Sequence, residues 1–492
     1  MLNKIMILFL ITIFIPVFTI KPINASDSIK NSVLKVYSTF MTYDYDMPWN
    51  TWMQDTVQGS AFIINDKRIL TSAHLVADQI FVQVRKFGEA EKFKAEVEEV
   101  SHDRDLAILS IKDDSFFNNT KPIKIGNLVD TGDEVTTFGY PQGGDKLTST
   151  SGIVSRVEHI KYKHSRAKLL ASQVDASMNQ GSSGGPVINN GQLVGVAFMG
   201  AEGDSINYMV PTPVITHFLK DIKNDSPDGI PTLGIQTQKI ESPYIKAKLG
   251  MDDDLSGILI NNIYFDSPAK DKLKTGDVLL SIAGQNIASD GTIEFRKDER
   301  TYFEYPIQKK YINDYANVKI LRDQDIKNVQ IQLTKSINFQ RLVPYQQYDV
   351  APTYYILGGL VFAPLTENYL QTWGKPPYKD APCNLRYFFE HGNKNANQKQ
   401  IIVLTKVLAD DVNVGYHGMK DRIITTVNNN EISSMIDLVK SFEQNKSKYN
   451  IIKMKSGNEI ILNRYDVESS KKRILNRFNI DFGRSDDLKN YN

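Results

Sequence analysis

The chain has 492 residues, 41% of them hydrophobic and 23% charged, with 58 Lys and Arg against 57 Asp and Glu. Its length exceeds one ordinary core and predicts about three domains, and its balance is that of a folded globular protein, which excludes a disordered one. A net charge of +1 supplies no global field for nucleic acid, and a single cysteine, Cys383, excludes both an intramolecular disulfide and a cysteine zinc cage.

At the N-terminus, Lys4 precedes an apolar run from Ile5 to Ile20, and Lys21-Pro22-Ile23-Asn24-Ala25 ends on a small residue. This pattern predicts a secretory signal peptide over residues 1–25. The run is short for a span of about 20 residues, so cleavage is favoured over an uncleaved anchor. No later segment is long and apolar enough to cross a membrane, and the mature chain is expected to be periplasmic or secreted.

From residue 28 to about 219 the pattern is one of short strands. Gly59 to Ile64 reaches a turn at Asn65-Asp66-Lys67, and Arg68-Ile69-Leu70-Thr71 resumes it, delivering His74 into the small-residue turn Thr71-Ser72-Ala73. Residues 80–84 alternate, and His102-Asp103-Arg104-Asp105 stands directly ahead of the apolar strand Leu106 to Ile111. A further strand covers 134–138, followed by Gly181-Ser182-Ser183-Gly184-Gly185-Pro186 and a hairpin over 187–196 centred on Asn190-Gly191. Pro213 to Leu219 reads as a helix starting on proline. So many short strands favour a sandwich or barrels.

The polar junction 224–231 marks the first domain boundary. Beyond it, 258–260 and 278–282 are predicted strands, and Asp277 to Ile287 has a loose echo in Asp421 to Ile432. Cys383 lacks activating neighbours and reads as a structural thiol. Lys471-Lys472-Arg473 reads as a solvated helix face, too little charge for a nucleic-acid site.

Three of these segments carry chemistry. A serine is a poor nucleophile until an imidazole takes its proton, and the imidazole needs a carboxylate to fix its tautomer. His74, Asp105 and Ser183 supply these groups, with the backbone N–H groups of Gly181 and Ser183 as oxyanion donors. Asp103 is the competing acid, and Asp105 is preferred because it abuts the strand. A metal at His102, Asp103 and Asp105 lacks a second histidine at ligand spacing, so no metal and no cofactor is expected. Gly181 to Gly185 also satisfies the G-x-S-x-G elbow of α/β-hydrolases, but that elbow needs a helix after it and histidine last. The order His74, Asp105, Ser183 is that of the chymotrypsin-like double β-barrel.

At these residues the sequence resembles the HtrA/Deg proteases, whose G-N-S-G-G-P motif is matched by Gly181 to Pro186 with Ser182 in place of asparagine. Pro48-Trp49, Gly139 to Asp145, Val154 to Glu158, Val210 to Ile215, Asp290-Gly291-Thr292, Glu299-Arg300 and Gly358 to Phe362 are in the style of the plant-type members. The resemblance implies a mostly β chain: a protease domain over 26–223, a PDZ domain over 230–335, a divergent PDZ-like domain over 345–470 and a tail over 471–492. It implies an ATP-independent endopeptidase acting on unfolded or damaged proteins, with organellar residence as an alternative location. Thr232-Leu233-Gly234-Ile235 would be the carboxylate-binding loop of the first PDZ domain, holding C-terminal peptides, although a plain strand start also fits those residues. Family members are built from trimers, and the aromatic segment Tyr43 to Trp52 is either an interface between copies or a flap over the core. The competing function is a proteolytically weak chaperone or scaffold that uses the PDZ domains to hold peptides.

Overall fold

The computed structural model describes residues 29–141, 144–179, 181–199, 206–224 and 228–489. The expected signal peptide, Gln142-Gly143 of the glycine-rich turn and residues 225–227 of the junction lie outside the described residues.

Two closed barrels come first. Strands β1 (Val33–Phe40), β2 (Asp55–Ile64), β3 (Arg68–Thr71), β4 (Gln79–Lys86), β5 (Lys92–Ser101) and β6 (Leu106–Ser110) close in the order β1-β2-β3-β6-β5-β4. The predicted turn between β2 and β3 forms because Asp66 and Lys67 both take left-handed backbone, with φ of 65° and 54°. Alternation places Leu34, Val36, Ala61, Ile63, Val82 and Val84 in one interior. Strands β7 (Glu134–Gly139), β8 (Thr148–Lys161), β9 (Lys168–Val174), β10 (Pro186–Asn189), β11 (Gln192–Met199) and β12 (Asn207–Pro211) close the second barrel in the order β10-β11-β12-β9-β8-β7. The hairpin β10–β11 turns on Asn190 and Gly191, at φ 48° and 74°, as an Asn-Gly pair should.

The opposite faces of several strands form a core shared by both barrels: Phe62, Leu70, Leu106 and Ile108 of the first meet Phe138, Leu169 and Val196 of the second. Each such fully buried side chain is worth about 1.5–3 kcal/mol against exposure, so the cleft between the barrels has rigid walls. Helix α1 (Thr212–Asp221), started by Pro213 as expected, seats Ile215 and Phe218 in the same core.

Two α+β units follow. The first has β13 (Ile235–Lys239), helix α2 (Pro243–Lys248), β14 (Ile258–Ile263), β15 (Val278–Ile282), the short β16 (Gln285–Asn286), the side hairpin β17 (Thr292–Arg296) and β18 (Glu299–Tyr302), helix α3 (Tyr305–Gln308), β19 (Tyr315–Arg322) and β20 (Asp325–Gln332). Its sheet order is β13-β14-β15-β19-β20. The second has β21 (Tyr355–Leu357), β22 (Leu360–Pro364), helices α4 (Glu367–Leu370) and α5 (Cys383–His391), β23 (Ile402–Val407), β24 (Arg422–Val427), β25 (Asn430–Glu431), helix α6 (Met435–Glu443), β26 (Tyr449–Met454), β27 (Glu459–Asn463) and helix α7 (Arg464–Arg477). Its order is β21-β22-β23-β24-β26-β27.

The faint sequence echo has a structural counterpart. Strands β15 and β24 occupy the same place in their sheets, and each turns back on a two-residue strand, β16 or β25. The first turn uses Ala283-Gly284 and the second Asn428-Asn429, all at positive φ. Asparagine tolerates that backbone, so the fold kept the turn where the sequence lost its glycine.

The aromatic segment 43–52 lies along its own chain. Trp49 packs edge-on against Tyr354 at 6.0 Å, Tyr45 joins the core around Leu342 and Tyr369, and Asp46 pairs with Lys406 at 2.5 Å. The segment thus packs on the chain's own core, while Trp52 remains exposed.

Candidate active site

The site is assembled from the barrel edges. His74 sits in a single turn of 3-10 helix (Ala73–Leu75) that follows β3, and Asp105 sits immediately before β6, the strand paired with β3. Asp105 adopts φ 53°, unusual for a non-glycine residue, and this tight turn aims its carboxylate at the His74 loop. Its Oδ2 lies 2.8 Å and its Oδ1 3.0 Å from His74 Nδ1, while Oδ1 also accepts the His74 backbone N–H at 2.9 Å. The competing Asp103 has no hydrogen bond to His74, and burial pushes its carboxyl above the ordinary value.

Burial on its own would lower the His74 pKa, but the charge and hydrogen bond of Asp105 outweigh it and hold the imidazole above its ordinary 6.5. Burial likewise opposes ionisation of Asp105, yet the facing imidazole keeps this carboxyl below its usual value. A carboxylate on Nδ1 fixes the tautomer that leaves Nε2 free to take a proton. Nε2 has no hydrogen-bond partner among the described residues.

Ser183 comes from the second barrel, on the loop entering β10. Ser60 of β2 pins that loop: its Oγ donates to the Gly181 carbonyl at 2.7 Å and accepts the Tyr140 N–H at 2.8 Å, and its N–H donates to the Ser183 carbonyl at 3.0 Å. Thr71 Oγ1 in turn donates to the Ser60 carbonyl at 2.8 Å. The fit is tight enough that a Cβ on Gly184, already at φ 79°, would stand 2.2 Å from the Ser60 carbonyl. Gly181 has φ 96°, and neither its N–H nor that of Ser183 donates to any described residue, which leaves two amides open to an incoming anion. Ser183 Oγ is likewise unbonded among the described residues, and it shares one cavity of about 520 Å³ with His74 and Asp105. Val57, Leu75, Tyr162 and Phe198 give that cavity apolar walls.

Sequence reasoning had no hold on Ser60, whose role is a contact between barrels, or on Thr71, which braces Ser60 from the neighbouring strand; a polar residue at an inward position of β2 was the only signal. It also passed over His164 and Tyr348, which reach the same cavity from the β8–β9 turn and from beyond residue 340. The residues 232–235 lie at the start of β13, the edge strand of the first α+β sheet. There Thr232 Oγ1 accepts the Gly234 N–H at 3.2 Å, Gly234 has φ 68°, and the Leu233 N–H has no described acceptor. In the second unit the matching edge, on β22, is already occupied by β21, which pairs Tyr355 with Phe362 and Leu357 with Leu360. Ile356 N–H donates in turn to the Gly483 carbonyl at 2.7 Å, so the C-terminal segment covers β21.

Among the described residues no group of three or more His, Cys, Asp or Glu is arranged to hold a metal ion, and no helix is long and apolar enough to cross a membrane.

A trypsin-like peptidase domain model matches residues 59–196, and PDZ domain models match 231–333 and 343–487. The chain is 37% identical to protease Do-like 4, mitochondrial, of Arabidopsis thaliana over 415 residues, covering 84% of this chain and 77% of that protein. It is 35% identical to protease Do-like 2, chloroplastic, of the same plant over 445 residues, with 88% and 71% covered. Among solved structures, the HtrA-type protease AlgW with a tripeptide aligns with a TM-score of 0.51 at 23% identity, over 63% of this chain and 96% of that one, a likeness of fold.

Proposed function

Because the chain belongs to the HtrA/Do-like family of serine endopeptidases, we propose that Ser183 is its nucleophile, His74 its general base and Asp105 the carboxylate that orients and charges the base. Ser183 Oγ attacks the scissile carbonyl as its proton passes to His74 Nε2. The resulting oxyanion is received by the N–H groups of Gly181 and Ser183, each such donor being worth about 3–4 kcal/mol to the transition state. His74 then returns the proton to the leaving amine, and water repeats the cycle on the acyl-enzyme. The scheme uses protein groups and water alone, and in this reading cleavage proceeds without ATP.

The observation that carries the reading is the pair of bonds from Asp105 to His74 Nδ1 in the cavity that also holds Ser183. The substrates are unfolded or damaged proteins, whose extended backbone enters a cleft between two rigid barrels. The open edge of β13 beside Thr232-Leu233-Gly234-Ile235 receives peptide C-termini, whereas the covered edge of β22 does not. The N-terminal pattern and the plant relatives named for mitochondria and chloroplasts support work in an extracytoplasmic or organellar compartment. Assembly into trimers or their multiples is part of the same proposal. Purified protein should degrade casein without ATP, and Ser183→Ala should abolish cleavage while leaving the melting temperature in place. Cleavage by that variant at the wild-type rate would refute the assignment.

A further inference from the structure

The cavity holding His74 and Ser183 has two lining residues from beyond both barrels. Gln346 and Tyr348 lie near the start of the second PDZ match, ahead of β21, yet they form part of its wall. The placement is built rather than incidental. The Tyr348 ring stacks on His164 with centroids 4.1 Å apart and planes 22° apart, and its hydroxyl donates to the His164 carbonyl at 3.2 Å. The same ring lies 4.9 Å from His102, and the His164 ring lies 6.2 Å from that of His74.

Both ends of this short segment are fastened. On the barrel side, Asp349 Oδ2 accepts from His102 Nε2 at 2.8 Å. Asp349 Oδ1 accepts the Asp78 N–H at 2.6 Å, and Asp78 Oδ1 accepts the Asp349 N–H at 2.7 Å. On the side of the second PDZ domain, the N–H groups of Gln346 and Gln347 donate to Glu367 Oε2 and Asn368 Oδ1, both at 2.8 Å. Buried Glu367 also pairs with Arg166, two residues after His164. With its Nε2–H given to Asp349, His102 accepts on Nδ1 the Nε2–H of His164 at 2.9 Å, which holds the two rings together beside Tyr348. Burial lowers His164 to about 4, so at neutral pH the face beside Tyr348 is an uncharged aromatic one.

From this geometry we infer that Tyr348 is a specificity-determining residue of the protease, forming with His164 a subsite beside His74 that takes a large apolar or aromatic side chain of the substrate. The inference rests on the proposed catalytic role of Ser183. A plug would fill the cleft, but about 520 Å³ stays open between Tyr348 and the apolar walls Val57, Leu75, Tyr162 and Phe198, within the range of pockets that hold side chains or small ligands. Lys163 on the same rim disfavours lysine and arginine there. The second PDZ domain, whose own peptide edge is covered, thereby contributes to substrate choice by holding one wall of the active site.

The test is a cleavage profile of the full chain on a peptide library read by mass spectrometry. Wild type should enrich for large apolar side chains at one position. Tyr348→Ala should erase that enrichment, raising KM for peptides with the side chain by roughly tenfold relative to matched alanine peptides, the scale of one apolar pocket contact. Tyr348→Phe, which keeps the stack, should restore it. Asp349→Asn should shift the profile in the same direction as Tyr348→Ala, which keeps the test open if the alanine variant folds poorly. A profile superimposable on wild type in both variants overturns the inference, as does a uniform gain or loss of rate at every position. If wild type and Ser183→Ala are equally inert, the protease reading itself has failed; if wild type cleaves and the profile does not move, only the subsite has.

Discussion

At the scale of single residues, one aspartate of two neighbours meets the histidine. Asp103 and Asp105 both precede β6, but only Asp105 takes the left-handed turn that brings its carboxylate to Nδ1. With that charge in place the imidazole must lose a proton before it can act as a base. Activity therefore rises with pH through a midpoint above 6.5, the ordinary histidine value. Asp105→Asn keeps the shape but removes the charge and favours the wrong tautomer. We expect kcat to fall by about 10⁴, and the midpoint of kcat/KM against pH to move down. An unchanged midpoint would place the base elsewhere. His74, Asp105 and Ser183 were legible in the sequence because each stands in a distinctive local frame: a strand end, an acid before an apolar strand, a glycine-rich turn. Ser60 was not, since nothing local distinguishes a serine whose partners lie 80 and 121 positions away.

At the scale of elements, the turn that presents Asp105 is itself anchored by its neighbour. Arg104 is almost fully buried and joins Asp221 at the end of α1 at 2.9 Å, His217 Nδ1 at 2.9 Å, the Gly229 carbonyl at 3.1 Å and Ser101 Oγ at 3.0 Å. It thus ties the acid-bearing turn, the closing helix of the barrels and the junction into the first PDZ domain. Removing one partner of a buried ion pair strands the other, so Arg104→Ala should destabilise the fold by about 3–5 kcal/mol, measured by denaturant titration. A cost within about 0.5 kcal/mol, ordinary for a surface change, would mean that the ion pair anchors nothing. Sequence patterning identified β2, β3, β10, β11 and α1 because alternation, an Asn-Gly turn and an N-terminal proline are local signals. It had no access to β21 lying on β22, because a three-residue strand carries too little periodicity to be distinguished from a loop.

At the scale of the whole molecule, two barrels supply a rigid cleft and two PDZ domains are fastened around it. The first meets the second barrel through His159, bonded to Thr301 at 2.7 Å and Gln308 at 3.1 Å. The second reaches the cleft through Gln346 to Asp349. The general plan was legible from chain order and motif style, whereas the way the domains touch was not. Such contacts join residues such as His102 and Asp349, 247 positions apart, and a single sequence gives no information on pairs of that kind. The central claim is that one serine among many is activated by a distant imidazole. Labelling of the intact protein with a fluorophosphonate probe, with the modified residue mapped by mass spectrometry, tests it most directly. Wild type should carry a single covalent adduct on Ser183, and His74→Ala should carry none. An adduct on another serine, or none from protein that is digesting casein in the same buffer, would contradict it.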